Sequence, residues 1–470
     1  MAVAGLGLAA AFAAPAGAQR LDLVIANGRV IDPESGLNAV RNVGIRGDRI
    51  VAVSRGPLIG RDTIDARGLI VSPGFIDLHR HAHGDNSYRY QVRDGVTTAL
   101  ELEVGTADVE AWYRQAGPGR LVNYGVAAGH IPARMRVLGD SGVFLPTGPG
   151  KGRATVPQAQ EIVDLIETGL RQGAVSVGMG LAYTPEATSV EMLQIFRAAG
   201  RHRASVHVHL GGGMSSLVEI IGAAAVGGAP LHVVHVNSTG GSNVAYFLEA
   251  IDDARRHGMD VTTEAYPYTA GATMIQSALY DGWENWPDER FGSLQWAATG
   301  ERLTRETFRK YRAQGGSVIS HGNTEEALAV ALASPLTIIA SDGGRSERDA
   351  PTHPRAAGAF ARVLGRYVRE RGTLSLVEAL RKMTIAPAKR LEGRVPSMKD
   401  RGRIRVGAFA DIAVFDSATV IDKATYENAA IFSEGILFVL VNGTPVVRAG
   451  EIVPGRTPGR AIRAPIEQPK

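Results

Sequence analysis

From residue 21 the chain sets short apolar runs between turn signals. Leu21-Asp22-Leu23-Val24-Ile25 precedes Asn27-Gly28, and Val30-Ile31-Asp32-Pro33 and Asn42-Val43-Gly44-Ile45 follow. Runs of this length, rich in Val and Ile and bounded by Gly, Asn and Pro, predict strands and turns. The same grammar returns late, in Ala410-Asp411-Ile412-Ala413-Val414-Phe415 and in Phe438-Val439-Leu440-Val441 before Asn442-Gly443. These two flanks are expected to pair into one small β-sandwich built from both chain ends.

The middle reads differently. Apolar runs at 71–78, 96–103, 121–127, 174–178, 205–209, 231–236, 260–264 and 336–341 are separated by helical patterns such as Val156 to Gln172, Ser189 to Arg203 and Val244 to His257. Near-continuous apolar runs are what parallel strands buried on both faces require. Eight such units predict an α/β fold, a (β/α)8 TIM-like barrel. A doubly wound sheet is the runner-up, but no G-x-G-x-x-G opens a helix. Residues 271–316 interrupt the alternation and hold three of the four Trp, at 283, 286 and 296. Such an insertion is either a lid or substrate wall, or a packed surface element. The expected organisation is a signal segment at 1–18, a sandwich from 19–70 and 393–470, and a barrel over 71–392 with an insertion at 271–316.

The first residues stand apart. Met1 to Ala14 is a run of small apolar residues, and Ala16-Gly17-Ala18 has the form of an A-x-A cleavage site. This predicts export to the periplasm or medium, although no Lys or Arg precedes the run. Without a functional signal the protein would be cytoplasmic. No later stretch reaches about 18 apolar residues, so no other membrane span is expected.

Composition narrows the chemistry. Of 470 residues, 44% are hydrophobic and 21% charged, which excludes disordered and collagen-like classes. The net charge is +4, with Arg dispersed and no basic stripe, so nucleic acid is not an expected partner. The chain has no Cys, which removes disulfides, thiolate metal sites and cysteine nucleophiles. Lys is scarce, at 151, 310, 382, 389, 399, 423 and 470 only.

The strongest chemical signal is Phe75-Ile76-Asp77-Leu78-His79-Arg80-His81, an apolar run closing on two His at i and i+2. On a strand this spacing points both imidazoles to one face, and in a barrel the C-terminal strand ends carry the site. Two neutral imidazoles on a rigid strand make half of a divalent metal site. His83 is nearby and reads as structural. Further runs close on Val206-His207-Val208-His209, on Val233-Val234-His235 and on Ile338-Ile339-Ala340-Ser341-Asp342. Each alone is weak, but together they form a coherent metal constellation, with His207 and His235 ranked above His209 and His232.

With these motifs in place, the sequence resembles the amidohydrolase superfamily, and within it the D-aminoacylase (N-acyl-D-amino-acid deacylase) group. Ile25 to Pro33 is similar to that superfamily's opening strands, and Gly74 to His81 to its metal motif. Tyr266-Pro267-Tyr268-Thr269-Ala270-Gly271, Ser341-Asp342-Gly343 and His353-Pro354-Arg355 resemble segments of the D-aminoacylase group. Met383 to Ala388 and Phe409 to Asp416 match the usual ending. The resemblance implies that His79 and His81 hold one metal. It implies that His207 and His235 hold a second, or position a partner where only one binds. Asp342 would be the general base and acid, Arg355 would pair with a substrate carboxylate, and Tyr268 would support that contact or polarise the carbonyl.

Two departures matter. Many superfamily members bridge their metals with a carbamylated Lys, and D-aminoacylases use a Cys on the second barrel strand. This chain has no Cys, no Lys before 151 and none from 152 to 309. The second strand instead carries Glu101 and Glu103 on one face. A carboxylate inside a barrel is costly unless it is paired or binds a cation. Glu103, nearer the strand's end, is the expected metal ligand, with Glu101 as the alternative or as an outer supporting group. Asn237 stands where the group has Lys, which bears on the substrate anchor.

The expected activity is metal-dependent hydrolysis of a C–N amide bond, deacylating an N-acyl (D-)amino acid with metal-activated water. The expected cofactor is a divalent ion, most simply Zn2+, in one or two copies. The expected partner is a small molecule bearing a carboxylate. The alternatives are a cyclic-amide or lactone hydrolase, a dipeptidase, and a non-catalytic metal-binding relative.

Overall fold

The computed structural model describes residues 20–344 and 350–467. The segment expected to act as a signal lies outside them. Among the described residues, no helix is long and apolar enough to cross a membrane.

Eight strands form the central sheet: Phe75–Asp77, Val96–Thr106, Asn123–Gly129, Val177–Gly180, Val206–His209, Leu231–Val233, Val261–Ala265 and Thr337–Ile339. We number them one to eight. Neighbours in sequence are neighbours in the sheet, and every pair is parallel. Each strand coincides with one of the apolar runs, because both faces of these strands are covered. The ring closes just past strands one and eight, where Arg80 pairs with Gly343 in parallel and the His81 amide donates to the Gly343 carbonyl at 3.0 Å. The fully buried Asp77 reinforces the seam, accepting from the Ser341 amide at 3.0 Å and the Ser341 hydroxyl at 2.5 Å. Helices Val156–Arg171, Ser189–Arg201 and Val244–Arg256 lie within a residue or two of their expected bounds. Thr155 and Gln158 cap the first of them reciprocally, and the Thr188 side chain caps the second.

Both chain ends join one nine-stranded sheet. The junction is Ile70–Pro73 against Ile412–Phe415, antiparallel, with Phe415 opposite Ile70 and Ile412 opposite Pro73. Strand Leu21–Asp32 turns the sheet on itself. Its first half pairs with Gly60–Asp65 and its second half with Ile70–Pro73. Ile25, Val43, Ile50, Val71, Ile412 and Leu440 form the core enclosed there.

Two local expectations are corrected. Asn27-Gly28 is not a turn between strands but an irregularity inside Leu21–Asp32, with Asn27 at φ 63°. Gly28 is required there by packing, since a Cβ would stand 2.4 Å from a Val71 methyl. Asn442-Gly443, by contrast, is a hairpin turn with both residues at positive φ, the geometry that matches strand twist. The chain also leaves the sheet earlier than 393–470 suggests. Ile462 donates its amide to Tyr124 on strand three and packs with Leu391 and Met398 under the barrel.

The insertion is both packed and a wall. Ala270–Met274, Leu294–Trp296 and Ser317–His321 make a three-stranded antiparallel sheet. Trp296, Phe291, Phe308 and Tyr311 give it its own apolar core. Its first strand and its Trp296 face the cavity above the barrel mouth.

Candidate metal centre

The C-terminal ends of strands one, two, five, six and eight converge. His79 Nε2 lies 2.7 Å from Glu103 Oε2 and 3.0 Å from His81 Nε2. His81 Nε2 lies 3.1 Å from the same carboxylate oxygen. Asp342 Oδ1 completes the group at 3.5 Å from His79 and 3.4 Å from His81. On the other side, Glu103 Oε1 lies 2.6 Å from His209 Nδ1, which is 3.1 Å from His235 Nε2. Glu103 therefore spans two donor groups, His79–His81–Asp342 and His209–His235.

The tautomers show what the cluster is built for. His79 Nδ1 meets Glu264 at 2.5 Å, and His81 Nδ1 meets Glu101 at 2.7 Å. Carboxylates only accept, so both rings donate from Nδ1. That turns both Nε2 atoms, with two carboxylate oxygens, toward one point in a buried site. Such an arrangement could hold a cation, and nitrogen with oxygen donors suits a borderline divalent ion such as Zn2+. Burial alone would depress both rings, but Asp342, Glu264 and Glu103 raise His79, and Glu101, Asp342 and Glu103 raise His81, well above the ordinary imidazole range. Burial works against ionised Glu103, yet the surrounding imidazoles hold it well below the usual carboxylate range. His235 (φ 32°) and Asp342 (φ 48°) both have left-handed backbones, a local strain that clusters at functional sites.

The sequence-predicted residues divide. His79, His81, Glu103, His235 and Asp342 come together. Glu101 stands outside, holding His81 and accepting the Val104 amide at 3.0 Å. His207 is corrected: it does not join the cluster, and His209 takes the place expected for it. Both residues face one side of strand five, but His207 sits two residues deeper, packed on His232 and bonded to Ser205 at 3.1 Å. Burial holds it well below the ordinary imidazole range. His83 is structural, bonded to the Tyr88 hydroxyl and the Arg80 carbonyl.

Arg355 is buried beside the cluster, with Nη1 2.8 Å from Asp342 Oδ2 and Nη2 donating to the Ala272 carbonyl. Its Nε has no hydrogen-bond partner among the described residues. Tyr268 is corrected as a substrate contact. The chain folds back after strand seven, with the Tyr268 amide donating to the Tyr266 carbonyl, so the two tyrosines part. Tyr268 donates to Asp422 at 3.1 Å, away from the cavity. Tyr266 lines the cavity instead, with the Arg355 guanidinium 4.6 Å from its ring centroid. Asn237 is buried and donates to the Tyr266 carbonyl.

A cavity of about 1100 Å3 opens over the cluster. Phe144 packs edge-on to His81 and Tyr183 to His209. Met274, Tyr280 and Trp296 extend the apolar wall. The sequence reading missed Glu264, Tyr266, Tyr183 and Phe144. Only Glu264 left a signal, as a carboxylate at the end of an apolar run.

A closed parallel barrel with imidazoles and carboxylates gathered at its C-terminal mouth defines a metal-dependent hydrolase of the barrel class. The model of the amidohydrolase family matches residues 62–447, and the chain belongs to that family. It is 30% identical over 499 residues to the N-acyl-D-glutamate deacylase of Alcaligenes xylosoxydans xylosoxydans, covering 95% of this chain and 97% of that protein. A solved N-acyl-D-glutamate deacylase from Bordetella bronchiseptica carries zinc and a phosphonate inhibitor mimicking the reaction's tetrahedral intermediate. It superposes with a TM-score of 0.81 at 26% identity, over 95% of this chain and 100% of that one. A D-aminoacylase structure, described for its binuclear metal center, superposes at 0.77 and 26% identity, over 94% and 100%.

Proposed function

We propose that this protein is a divalent-metal amidohydrolase that removes the acyl group from an N-acyl amino acid. The observation that carries the reading is the convergence of His79, His81, Glu103 and Asp342 beside a buried arginine that faces the cavity. His79, His81 and Asp342 would hold one ion, His209 and His235 a second, and Glu103 would serve both. A Zn2+ held by these residues would supply acidification of a water and polarisation of an amide carbonyl.

The chain's own residues do the rest. Arg355 receives the substrate carboxylate, for which its unpartnered Nε and planar fork are suited. That contact sets the scissile amide over the cluster. Asp342 accepts the proton of the attacking water at a carboxylate oxygen and returns it to the departing nitrogen. The relatives named above act on N-acyl-D-amino acids, which supports a D-configured substrate here.

The test is metal analysis joined to a panel of N-acyl-D- and N-acyl-L-amino acids, with cyclic imides alongside. Release of free D-amino acid is the expected result. Metal-loaded protein that opens cyclic imides and leaves every N-acyl amino acid intact would refute the proposal.

A further inference from the structure

The layer beneath a barrel mouth is ordinarily filled by branched aliphatic side chains. Here it holds His207, His232 and Glu264, each at most 1% exposed. Glu264 joins two imidazoles. One oxygen meets His79 Nδ1 at 2.5 Å and the other meets His232 Nε2 at 3.0 Å. His232 Nδ1 in turn meets the Thr262 hydroxyl at 2.8 Å. Thr262 is 3.4 Å from the Arg390 guanidinium, which pairs with Asp260 at 2.7 Å near the opposite face of the barrel.

The donor logic runs one way. Glu264 accepts from both rings, so His79 must carry its proton on Nδ1 and present Nε2 to the cluster. His232 must donate from Nε2 and accept the Thr262 proton at Nδ1. Removing the carboxylate frees His79 to invert its tautomer and turn an N–H toward Glu103. The His209–His235 group has no such support among the described contacts of His235, whose Nδ1 has only the Thr239 hydroxyl at 3.4 Å.

We infer that Glu264, backed by His232, is a positioning residue for His79, and that it sets the metal affinity of the His79–His81–Asp342 position selectively. The inference rests on the proposed metal centre, and it concerns a carboxylate on strand seven that touches neither substrate nor ion.

The test compares wild type with Glu264→Gln, His232→Leu and His232→Gln. Zinc affinity is measured by chelator competition, and the occupancy of each position by anomalous scattering. An amide cannot accept from both rings, so Glu264→Gln is expected to weaken zinc about 10- to 100-fold, the range for outer partners of metal-bound His. The loss should fall on the His79 position while the His209–His235 position stays filled. His232→Leu should weaken it less, and His232→Gln, which keeps a donor toward Glu264, should restore it. Unchanged affinity in Glu264→Gln, or equal loss at both positions together with a lowered unfolding midpoint of the zinc-free protein, overturns the inference. Wild type without zinc at either position overturns the metal-centre reading itself.

Discussion

Glu101 and Glu103 share one face of one strand, yet their neutralisation should have unequal consequences. In Glu103→Gln an oxygen that meets His79 at 2.7 Å or one that meets His209 at 2.6 Å becomes an N–H2 group. An amide nitrogen does not bind a divalent ion, so one donor group loses its shared carboxylate whichever way the amide turns. Removing one partner of a buried charged set costs about 3–5 kcal/mol, or a factor of about 10² to 10³·⁵ in affinity. Glu101 acts one bond further out, on His81 Nδ1 at 2.7 Å. Its change to Gln should cost about 10- to 100-fold, the outer-partner range, or about 1.4–2.7 kcal/mol. Zinc dissociation constants by competition with a chelator of known affinity measure both variants, with metal content of the purified proteins as the check. Full occupancy and wild-type affinity in Glu103→Gln would sink the assignment. A larger loss in Glu101→Gln than in Glu103→Gln would reverse the two roles.

Asp342→Asn should keep zinc at the His209–His235 position and lower kcat by about 10² to 10⁴, the usual contribution of a proton-transferring side chain; substantial turnover at full metal loading argues against its role. Arg355→Lys keeps the charge but loses the planar fork, so KM for an N-acyl amino acid should rise while KM for the corresponding N-acyl amino amide, which lacks the carboxylate, stays put. Equal effects on both substrates would make Arg355 only a strut for Asp342. A separate acid sensitivity is expected at Glu191. Burial opposes its ionised form, but His130 and Arg134 bring it down to about 2 from an ordinary value of 4.5. A depressed carboxylate stabilises the fold above its unfolded value, and that stability, about 3 kcal/mol, is lost as pH falls from 4.5 toward 2. Urea unfolding at pH 6 and pH 3 checks this: Glu191→Gln should flatten the difference, and an unchanged pH slope would refute it.

The barrel was legible because each of its strands is buried on both faces, and the sequence can satisfy that only with apolar runs. His79 and His81 were legible for the same reason as Asp342: a polar residue closing such a run stands at the mouth. Depth within the barrel was not. His207 and His209 lie on one face at i and i+2, and only the register of strand five against strand four, with His209 opposite Gly180, shows which reaches the mouth. Tyr268 misled because the resemblance marks a segment and not which of its two tyrosines faces the cavity once the chain folds back after strand seven. Asn27-Gly28 misled because a bulge and a hairpin ask for the same residues, and the choice depends on Val71, far along the chain. The walls of the cavity come from Phe144, Tyr183 and the inserted sheet, which no periodicity links to the centre.

Glu103 would give the two donor groups a common oxygen ligand in a chain that contains no sulfhydryl anywhere. Such a centre has no thiolate for peroxide to oxidise, for iodoacetamide to alkylate or for mercury to capture. Hard carboxylate oxygen also suits harder ions such as manganese better than sulfur does.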